Sequence, residues 1–230
     1  MSDSFDAIPT GWYALLMSAQ RVEPSASRGA HRKLLDAAIA LIREKGFAAT
    51  SVDELCARAR VTKGAFFHHF PSKEALALAA ASDWSEMCEA LFAAAAYHHL
   101  DDPLDRIVGY LDFRKAMLRG TVAEFTCLLG TMVQEAYASH PSIRRACDAG
   151  IGGHAATLQS DIAAAMRRHR IRARWTPESL ALHMQAVLQG AYILAKAKDD
   201  AKVAAASIEH LRRYVELLFR RRKTAAARQH

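Results

Sequence analysis

The sequence predicts an all-α protein, and three observations carry that prediction. Glycine and proline are scarce, with 11 and 6 among 230 residues, whereas alanine, the strongest helix former, is abundant. Runs of β-branched residues, which strands favour, are nearly absent. Apolar residues make up 51% of the chain and recur at spacings of three and four, the period of an amphipathic helix.

The N-terminal part of the chain divides into three helical patterns. The first covers 28–46, where Gly46 follows a cation and marks the stop. A capping box at 51–54 begins a short second helix. Thr62 caps a third short helix, which ends at the Pro71–Ser72 break where a long helix begins and reaches the nineties.

Five further helices are predicted beyond this long one. Pro141 and Pro177 stand near helix starts, where a missing N–H costs nothing. The Gly152–Gly153 pair is expected to weaken or kink the longest of these helices. The predicted spans are 103–119, 121–138, 141–170, 177–198 and 202–222.

The charge of the chain favours an acidic partner. The formal net charge is +7 and the pI is about 9.4, and a positive field attracts nucleic acid backbones as well as acidic membranes. No long apolar stretch predicts a bilayer span, and the N-terminal residues lack the pattern of a signal peptide. The four cysteines show no CxxC or zinc spacing. We therefore expect a cytoplasmic protein with free thiols, no metal and no cofactor.

Two short helices behind a longer one, joined by a tight turn, are the arrangement of a helix-turn-helix DNA reader. Their apolar side chains are predicted to share a small core formed by Val52, Leu55, Val61, Phe66 and Phe70. The other side chains of the third helix then face outward, where such a helix fits the major groove. They are Thr62, Lys63, Ala65, Phe67 and His68.

These motifs resemble the TetR family of transcriptional regulators. The resemblance rests on 50–55 (TSVDEL) and 61–76 (VTKGAFFHHFPSKEAL), and it covers about 28–80. It implies a homodimer with nine helices per subunit, and a small molecule that binds the C-terminal domain and releases DNA.

The resemblance also implies roles for single residues. By motif position, Thr50 and Lys73 would touch phosphates and His69 would lie near the DNA backbone. Many members carry Tyr where this chain has Phe67, so that hydroxyl contact is missing and the ring is expected to pack on a sugar or a thymine methyl. The residues facing the groove would be Lys63, Gly64, Ala65 and His68.

On this interpretation the chain has two domains between two poorly ordered ends. A mostly disordered arm at 1–27 precedes the helix-turn-helix DNA-binding domain at 28–75. A helical ligand-binding and dimerisation domain follows at 76–223, and 224–230 is a frayed tail. The long helix that begins at Ser72 joins the two domains. A ligand that tilts it would change the separation of the two recognition helices.

The last two predicted helices carry apolar stripes wide enough for a core and a partner helix. Packed against their symmetry mates, they would form a four-helix dimer interface, which predicts a pseudo-palindromic operator. The alternative is that the stripes are intramolecular core alone. The basic run 220–223 complements the helix dipole or, less simply, contacts DNA. The stripes comprise Leu180, Met184, Val187, Leu188, Ala191, Leu194, Ile208, Leu211, Val215, Leu218 and Phe219.

Large apolar and aromatic side chains between these regions are candidates for a small-molecule pocket, with Gln134, Glu135, His154 or Gln185 as polar groups. Each taken singly is also compatible with ordinary core. An apolar, aromatic or electrophilic effector fits this composition. The candidates are Trp84, Met87, Phe92, Tyr110, Phe113, Met117, Phe125, Cys127, Leu128, Met132, Met166, Trp175 and Tyr192.

Cys127 has a second possible role. The segment 125–130 resembles the sixth helix of TetR-type repressors that sense electrophiles through a cysteine. Such a role requires a reactive, partly exposed thiol. The alternative is a buried helix cysteine.

Two other classes of function fit the sequence less well than a specific regulator. An enzyme has little support, because the sequence carries no phosphate loop, HExxH motif or nucleophile elbow. An architectural DNA-binding protein would use the same charge without needing an aromatic pocket. The sequence favours the regulator, most simply a repressor, although an activator would look the same.

Overall fold

The computed structural model describes residues 26–220, with side chains from Gly29 onward. Within this range the chain forms ten α-helices and one short 3-10 helix, Ala96–His99, and no strand. The helices are α1 Ala26–Lys45, α2 Val52–Ala59, α3 Lys63–His69, α4 Lys73–Ala93, α5 Pro103–Ala116, α6 Val122–Phe125, α7 Leu128–Ala136, α8 Pro141–Arg168, α9 Pro177–Lys198 and α10 Ala201–Phe219.

Helices α1 to α3 form a small N-terminal head. The predicted capping box holds the start of α2, where Ser51 and Glu54 satisfy each other's backbone N–H groups. The Thr62 side chain accepts a hydrogen bond from the Ala65 N–H and so begins α3. Gly46 ends α1 with φ +93°, a conformation that a residue with a Cβ rarely adopts.

Helices α4 to α10 form the body, and its core is continuous with that of the head. A single buried cluster runs from Leu34 in α1 to Phe219 in α10. Helix α4 packs on α1 and on α8, and α9 packs on both α8 and α10. Helix α4 therefore contacts both the head and the body.

The predicted helix over 121–138 is wrong. The structure has two helices there, α6 and α7, separated at Thr126 and Cys127. The break is stabilised by tertiary contacts, because the Arg43 guanidinium donates to the Thr126 carbonyl at 2.9 Å. The Cys127 side chain caps α7 by accepting from the Gly130 N–H.

Smaller differences concern helix ends and counts. Helix α5 ends at Ala116 rather than near 119, and α10 ends at Phe219 rather than at 222. Helix α8 runs without interruption through Gly152–Gly153, so the predicted weakening does not break it. The described residues contain ten α-helices where the resemblance implied nine, because α6 and α7 are separate. The arm at 1–25, the basic residues 221–223 and the tail at 224–230 lie outside the described residues.

Candidate DNA interface and ligand cavity

Helix α3 presents a polar and aromatic face away from the core. Thr62, Lys63, Gly64 and His68 are exposed, and the Phe67 ring is 52% exposed. Ala65 is half-buried on the side of this face. Phe66 and Phe70, by contrast, are buried as the spacing predicted. A single exposed apolar side chain is common on protein surfaces, so the assignment of this face to DNA rests on its position in the helix-turn-helix and not on the Phe67 ring alone.

Lys63 is held by an ion pair with its neighbour helix. Its Nζ lies 2.7 Å from Asp53 Oδ1 on α2, and both side chains are exposed to solvent. The Asp53 carboxylate raises the pKa of Lys63. The Lys63 ammonium is therefore already paired with a carboxylate in this conformation.

His69 is half-buried and contacts α1. Its ring centroid lies 5.8 Å from that of His31, which in turn stacks on Phe70 at 4.8 Å. His68 lies beside it with ring centroids 5.0 Å apart. The two neighbouring histidines therefore differ, since His68 faces outward and His69 also supports the packing of α3 on α1.

The phosphate contact expected of the Thr50 side chain needs correction. Thr50 is buried, and its hydroxyl donates to the Gly46 carbonyl at 2.7 Å. It holds the turn after α1 and offers no hydroxyl to a phosphate in this conformation.

Lys73 serves the same turn. Its Nζ donates to the carbonyls of Phe47 at 3.0 Å and Thr50 at 2.9 Å, and burial lowers the pKa of Lys73. An ammonium group has three N–H bonds, so one is left for a phosphate. The phosphate contact of Lys73 stays a prediction, whereas its structural role is visible.

Arg32 joins α1 to α4. Its guanidinium donates to both carboxylate oxygens of Asp83, at 2.5 and 2.8 Å, and to Asp36 on its own helix. Lys33 beside it is exposed.

A cavity of about 420 Å³ lies in the body, among α4, α5, α8 and α9. Its size suits a small organic ligand. Six predicted residues line it, namely Trp84, Phe92, Met117, Phe125, Cys127 and Tyr192, together with the polar candidates His154 and Gln185.

The other candidates do not line this cavity, and their places explain why. Leu128 and Met132 are fully buried in the core that α7 shares with α8, and Met87 is also core. Tyr110 lies behind the wall, Phe113 packs on Phe92 and Tyr97, and Trp175 packs on Phe219. Met166 is half-buried against the core. Gln134 and Glu135 line a second, more open cavity of about 350 Å³ next to the head.

A hydrogen-bonded chain crosses the cavity wall. The Gln185 amide donates to the Tyr110 hydroxyl at 2.9 Å, and that hydroxyl lies 3.0 Å from His154 Nε2. Burial, followed by the nearby Arg114 charge, lowers the pKa of His154 to about 3. The imidazole is therefore neutral, and its Nε2 shares a hydrogen bond with the Tyr110 hydroxyl.

Arg114 lines the same cavity and was not among the predicted residues. It is only 8% exposed, and its guanidinium lies over the rings of Phe92 and Tyr192, with Cζ 5.2 and 5.6 Å from their centroids. A signal was present in the sequence. Ile107, Tyr110 and Leu111 lie three to seven residues before Arg114, a spacing that places them on one buried helix face.

The four cysteines are free, but they differ in setting. Burial raises the pKa of Cys56 and raises those of Cys88 and Cys147 to about 12, so these thiols are poor nucleophiles. Cys127 is half-buried at the start of α7 and lines both cavities.

Arg43 connects the cavity to the head. It projects from α1, and its Cζ lies 4.7 Å from the ring centroid of Trp84 in the cavity wall. The Thr126 carbonyl that it binds lies between the wall residues Phe125 and Cys127. A change in the cavity wall at the α6–α7 break is thus one side chain away from α1.

Two family models match the chain. A model described as bacterial regulatory proteins of the tetR family matches residues 34–80, which comprise most of the head and the start of α4. A model described as the tetracyclin repressor-like C-terminal domain matches residues 103–211. The chain belongs to the TetR family.

Individual TetR proteins resemble the chain at low identity. The transposon Tn10 TetC protein of Escherichia coli is 27% identical, over 47% of this chain and 68% of its own length. The crystal structure of a TetR regulator from Agrobacterium tumefaciens superposes with a TM-score of 0.73 at 19% identity, over 82% of this chain and 98% of that one. A cysteine mutant of the TetR regulator CifR, complexed with 26-bp double-strand operator DNA, gives 0.67 at 17% identity, over 79% and 94%. Both structures have the same fold as this chain.

Membership in the TetR family makes this a DNA-binding transcriptional regulator, and the family is one of regulators rather than enzymes. Among residues 26–220, no helix has the length and apolar character needed to cross a membrane. Within the same residues, no group of three or more His, Cys, Asp or Glu side chains is arranged to hold a metal ion.

Proposed function

We propose that this TetR protein is a ligand-responsive repressor that binds a pseudo-palindromic operator as a homodimer in the cytoplasm. The observation that carries the proposal is the pairing of an outward-facing α3 with a cavity of about 420 Å³ in one chain. The DNA contacts we assign are made by Thr62, Lys63, Gly64, Ala65, Phe67 and His68, with support from His69 and Lys73. The proposed domains remain a DNA-binding domain at 28–75 and a ligand-binding and dimerisation domain at 76–223, although the helix that begins at Lys73 spans the boundary between them.

The dimer is supported by an apolar surface on the last two helices that differs from the predicted stripes, whose residues other than Val187, Leu194 and Leu218 are buried in the core of the chain itself. Leu182 and Leu194 on α9 and Tyr214 and Leu217 on α10 are each 43–57% exposed. The rings of His183 and Tyr214 lie 5.3 Å apart and bring the two faces together. An isologous four-helix contact would bury this surface and space two α3 helices for two half-sites.

Release of DNA is proposed to start in the cavity. A ligand that prefers one arrangement of its walls would tilt α4, which packs on α1 and leads directly into α3. The shift in operator affinity is set by the difference in ligand affinity between the two arrangements.

The test begins with fragmented genomic DNA of the source, captured on the protein and sequenced with and without excess random competitor. We expect one palindromic site to be enriched and to survive competition, since specific regulators prefer their sites by roughly a thousand-fold or more. Enrichment that vanishes with competitor would instead support an architectural DNA-binding protein.

Lys63→Ala then tests the interface itself. Operator affinity should fall, and its dependence on salt should become less steep, because one phosphate-neutralising charge is lost. Arg172→Ala is the matched control. It removes an exposed positive charge just before α9, at the end of that helix that is far from the head. The contact between α9 and the head is made near the opposite end, where Lys196 donates to the Arg43 carbonyl of α1. An unchanged salt dependence in Lys63→Ala would remove Lys63 from the interface.

A second candidate function, electrophile sensing by Cys127, is favoured by the position of that thiol on both cavities. Cys127→Ser is expected to bind operator as the unmodified protein does, while losing release by quinones or reactive carbonyls. Cys88→Ser is the control, since burial raises the pKa of Cys88 to about 12 and makes it unreactive. Release that persists in Cys127→Ser would end this idea.

A further inference from the structure

Arg114 places a buried positive charge at the wall of the body cavity. Its Nε is buried and donates to no acceptor. The groups around it are neutral, namely the rings of Phe92, Tyr110 and Tyr192, with centroids 5.2 to 5.9 Å from Cζ. The Tyr192 hydroxyl is also in hydrogen-bond contact with it.

The remaining charged groups of the wall do not compensate this cation. Arg106 and Asp161 neutralise each other at 2.8 Å. His154 is neutral, because burial and the Arg114 charge itself lower the pKa of that imidazole to about 3. Glu89 is exposed, and across residues 26–220 no carboxylate forms an ion pair with Arg114. The wall of the body cavity therefore carries one positive charge, that of Arg114, that no carboxylate in this range neutralises.

A buried guanidinium without a carboxylate is unfavourable, since cation–π contacts replace only part of its hydration. Buried arginines in folded proteins are nearly always paired with an anion. The cavity supplies room for such an anion, and its walls indicate what else the ligand carries. Trp84, Phe92 and Met117 are apolar surfaces that suit a hydrocarbon body.

We propose that the cavity binds a small organic monocarboxylate, whose carboxylate pairs with Arg114 and whose apolar body lies against Trp84, Phe92 and Met117. The planar guanidinium matches a carboxylate in geometry. One cation balances one negative charge, so a monoanion fits better than a phosphate dianion. The anion site itself does not depend on the proposed function. The role of this ligand as the effector rests on the proposed function.

The test compares acids with their primary amides, which have the same shape and no charge. The probes are the straight-chain acids from propionate to octanoate and the aryl acids from benzoate to phenylpropionate, each with its amide. Binding is followed by titration calorimetry and by the melting temperature at neutral pH. For the unmodified protein, at least one acid should bind roughly ten-fold or more tightly than its amide.

Arg114→Met should abolish this preference while keeping most of the side-chain volume. The ligand-free variant should also melt a few degrees higher, because a buried charge has been replaced by an apolar group. Lys115→Met is the matched control. It removes the same charge one position along α5, where Lys115 pairs with Glu209 outside the cavity. Its acid preference should equal that of the unmodified protein.

Three results would overturn the proposal. They are amides that bind as tightly as the acids, acids that bind Arg114→Met as tightly as the unmodified protein, and a panel in which no acid binds the unmodified protein. If Arg114→Met does not fold, Arg114→Lys replaces it. That variant keeps the charge but loses the bidentate geometry, so the acid preference should shrink without vanishing.

Operator binding separates this inference from the proposed function. The same acids are added to a fluorescence anisotropy assay with the operator. An acid that binds through Arg114 but leaves operator affinity unchanged supports the anion site and contradicts its role as effector. An unmodified protein that binds no specific DNA contradicts the proposed function and leaves the calorimetry to decide on the site.

Discussion

Asp53 and Lys63 show how a single ion pair on the head can tune DNA binding. The pair is exposed, so its own contribution to stability is small. Its position matters more, because on the proposed interface Lys63 would exchange this carboxylate for a phosphate when DNA binds. Asp53 also adds a negative charge close to the expected path of the DNA backbone.

Asp53→Asn should therefore raise operator affinity, by about two- to ten-fold at low salt and less at high salt. Fluorescence anisotropy across a salt titration measures both the affinity and its salt dependence. Asp105→Asn, on the exposed first turn of α5, changes the net charge equally and should have little effect. Equal gains in the two variants would mean that net charge alone is responsible.

His154 makes the stability of the body depend on pH. Its pKa is lowered from 6.5 to about 3 in the folded protein, by burial and then by the Arg114 charge. Between these two values the unfolded chain binds the additional proton. The free energy of unfolding must therefore fall as the pH drops below about 6.5.

We expect this group to remove about 1–2 kcal/mol of stability between about pH 7 and pH 5. His154→Gln should flatten that part of the profile, as measured by urea unfolding at each pH. His99→Gln, which changes an exposed histidine, should keep the steeper profile. A His154→Gln profile as steep as that of the unmodified protein would show that other groups titrate in this range.

For single residues, the sequence correctly predicted which side chains of α3 face outward, because helical spacing fixes which side chains share a face. It missed the pairing of Lys63 with Asp53 and the role of Thr50 in the turn. Both depend on where α2 and α4 lie relative to α1. It also missed Arg114, because an arginine on an amphipathic helix is usually solvated.

At the level of helices, the break between α6 and α7 contacts both the body cavity and the head. Its Thr126 carbonyl accepts a hydrogen bond from Arg43 on α1, and Lys196 of α9 donates to the Arg43 carbonyl at 3.0 Å. A second contact joins α7 to the head, because Glu135 accepts from the Ala48 N–H at 2.7 Å. The head therefore contacts α7 as well as α4.

Arg43→Met should reduce the coupling between ligand and operator several-fold, while ligand affinity changes little, since Arg43 does not line the cavity. The coupling is the ratio of operator Kd values with and without the carboxylate that binds best in the panel. Arg32→Met is the companion variant, which cuts the contact with Asp83 on α4. It should retain the coupling, because α4 stays covalently joined to α3. Full coupling in Arg43→Met would exclude this contact as the route.

Caps explain which helices were predicted well. The starts of α2, α3 and α9 coincide with Ser51, Thr62 and Thr176, whose side chains satisfy the first N–H groups locally. The break at Thr126 has no local cause of this kind. It depends on Arg43, 83 residues away in the chain, and sequence spacing carries no information about such a contact.

For the whole molecule, the exposed apolar face on α9 and α10 is the surface we propose for dimerisation. Leu217 is 57% exposed near the end of α10 and Leu194 is 49% exposed near the end of α9, so exposed apolar side chains occur along this helix pair, where a partner would cover them. Each copy carries one α3, so both half-sites of an operator are contacted only by a dimer.

Leu217→Glu combined with Leu194→Glu should produce a monomer in analytical ultracentrifugation, because two carboxylates would be buried on each side of the contact. Operator affinity should fall by at least roughly a hundred-fold with the loss of the second half-site. Tyr137→Glu is the control, since Tyr137 is 60% exposed at the end of α7, away from this face. A double variant that stays dimeric would locate the interface elsewhere.

The fold class and the order of head and body were predictable from composition and periodicity. The residues of the cavity wall could be predicted only in part, because an aromatic residue at a given helical spacing has the same sequence pattern whether it faces a cavity or the core. Phe125 faces the cavity, whereas Leu128, one turn later, is buried in the core. The α6–α7 break between them determines the difference.

The Lys63–Asp53 pair has a further consequence for the time the protein takes to reach its operator. On the proposed interface, Lys63 would gain a phosphate but lose its carboxylate on random DNA as well, which would make each chance encounter weaker and shorter. Short residence on such sequences lets the protein slide and hop over more of the chromosome per second. A surface carboxylate that weakens binding at equilibrium would thus quicken the search.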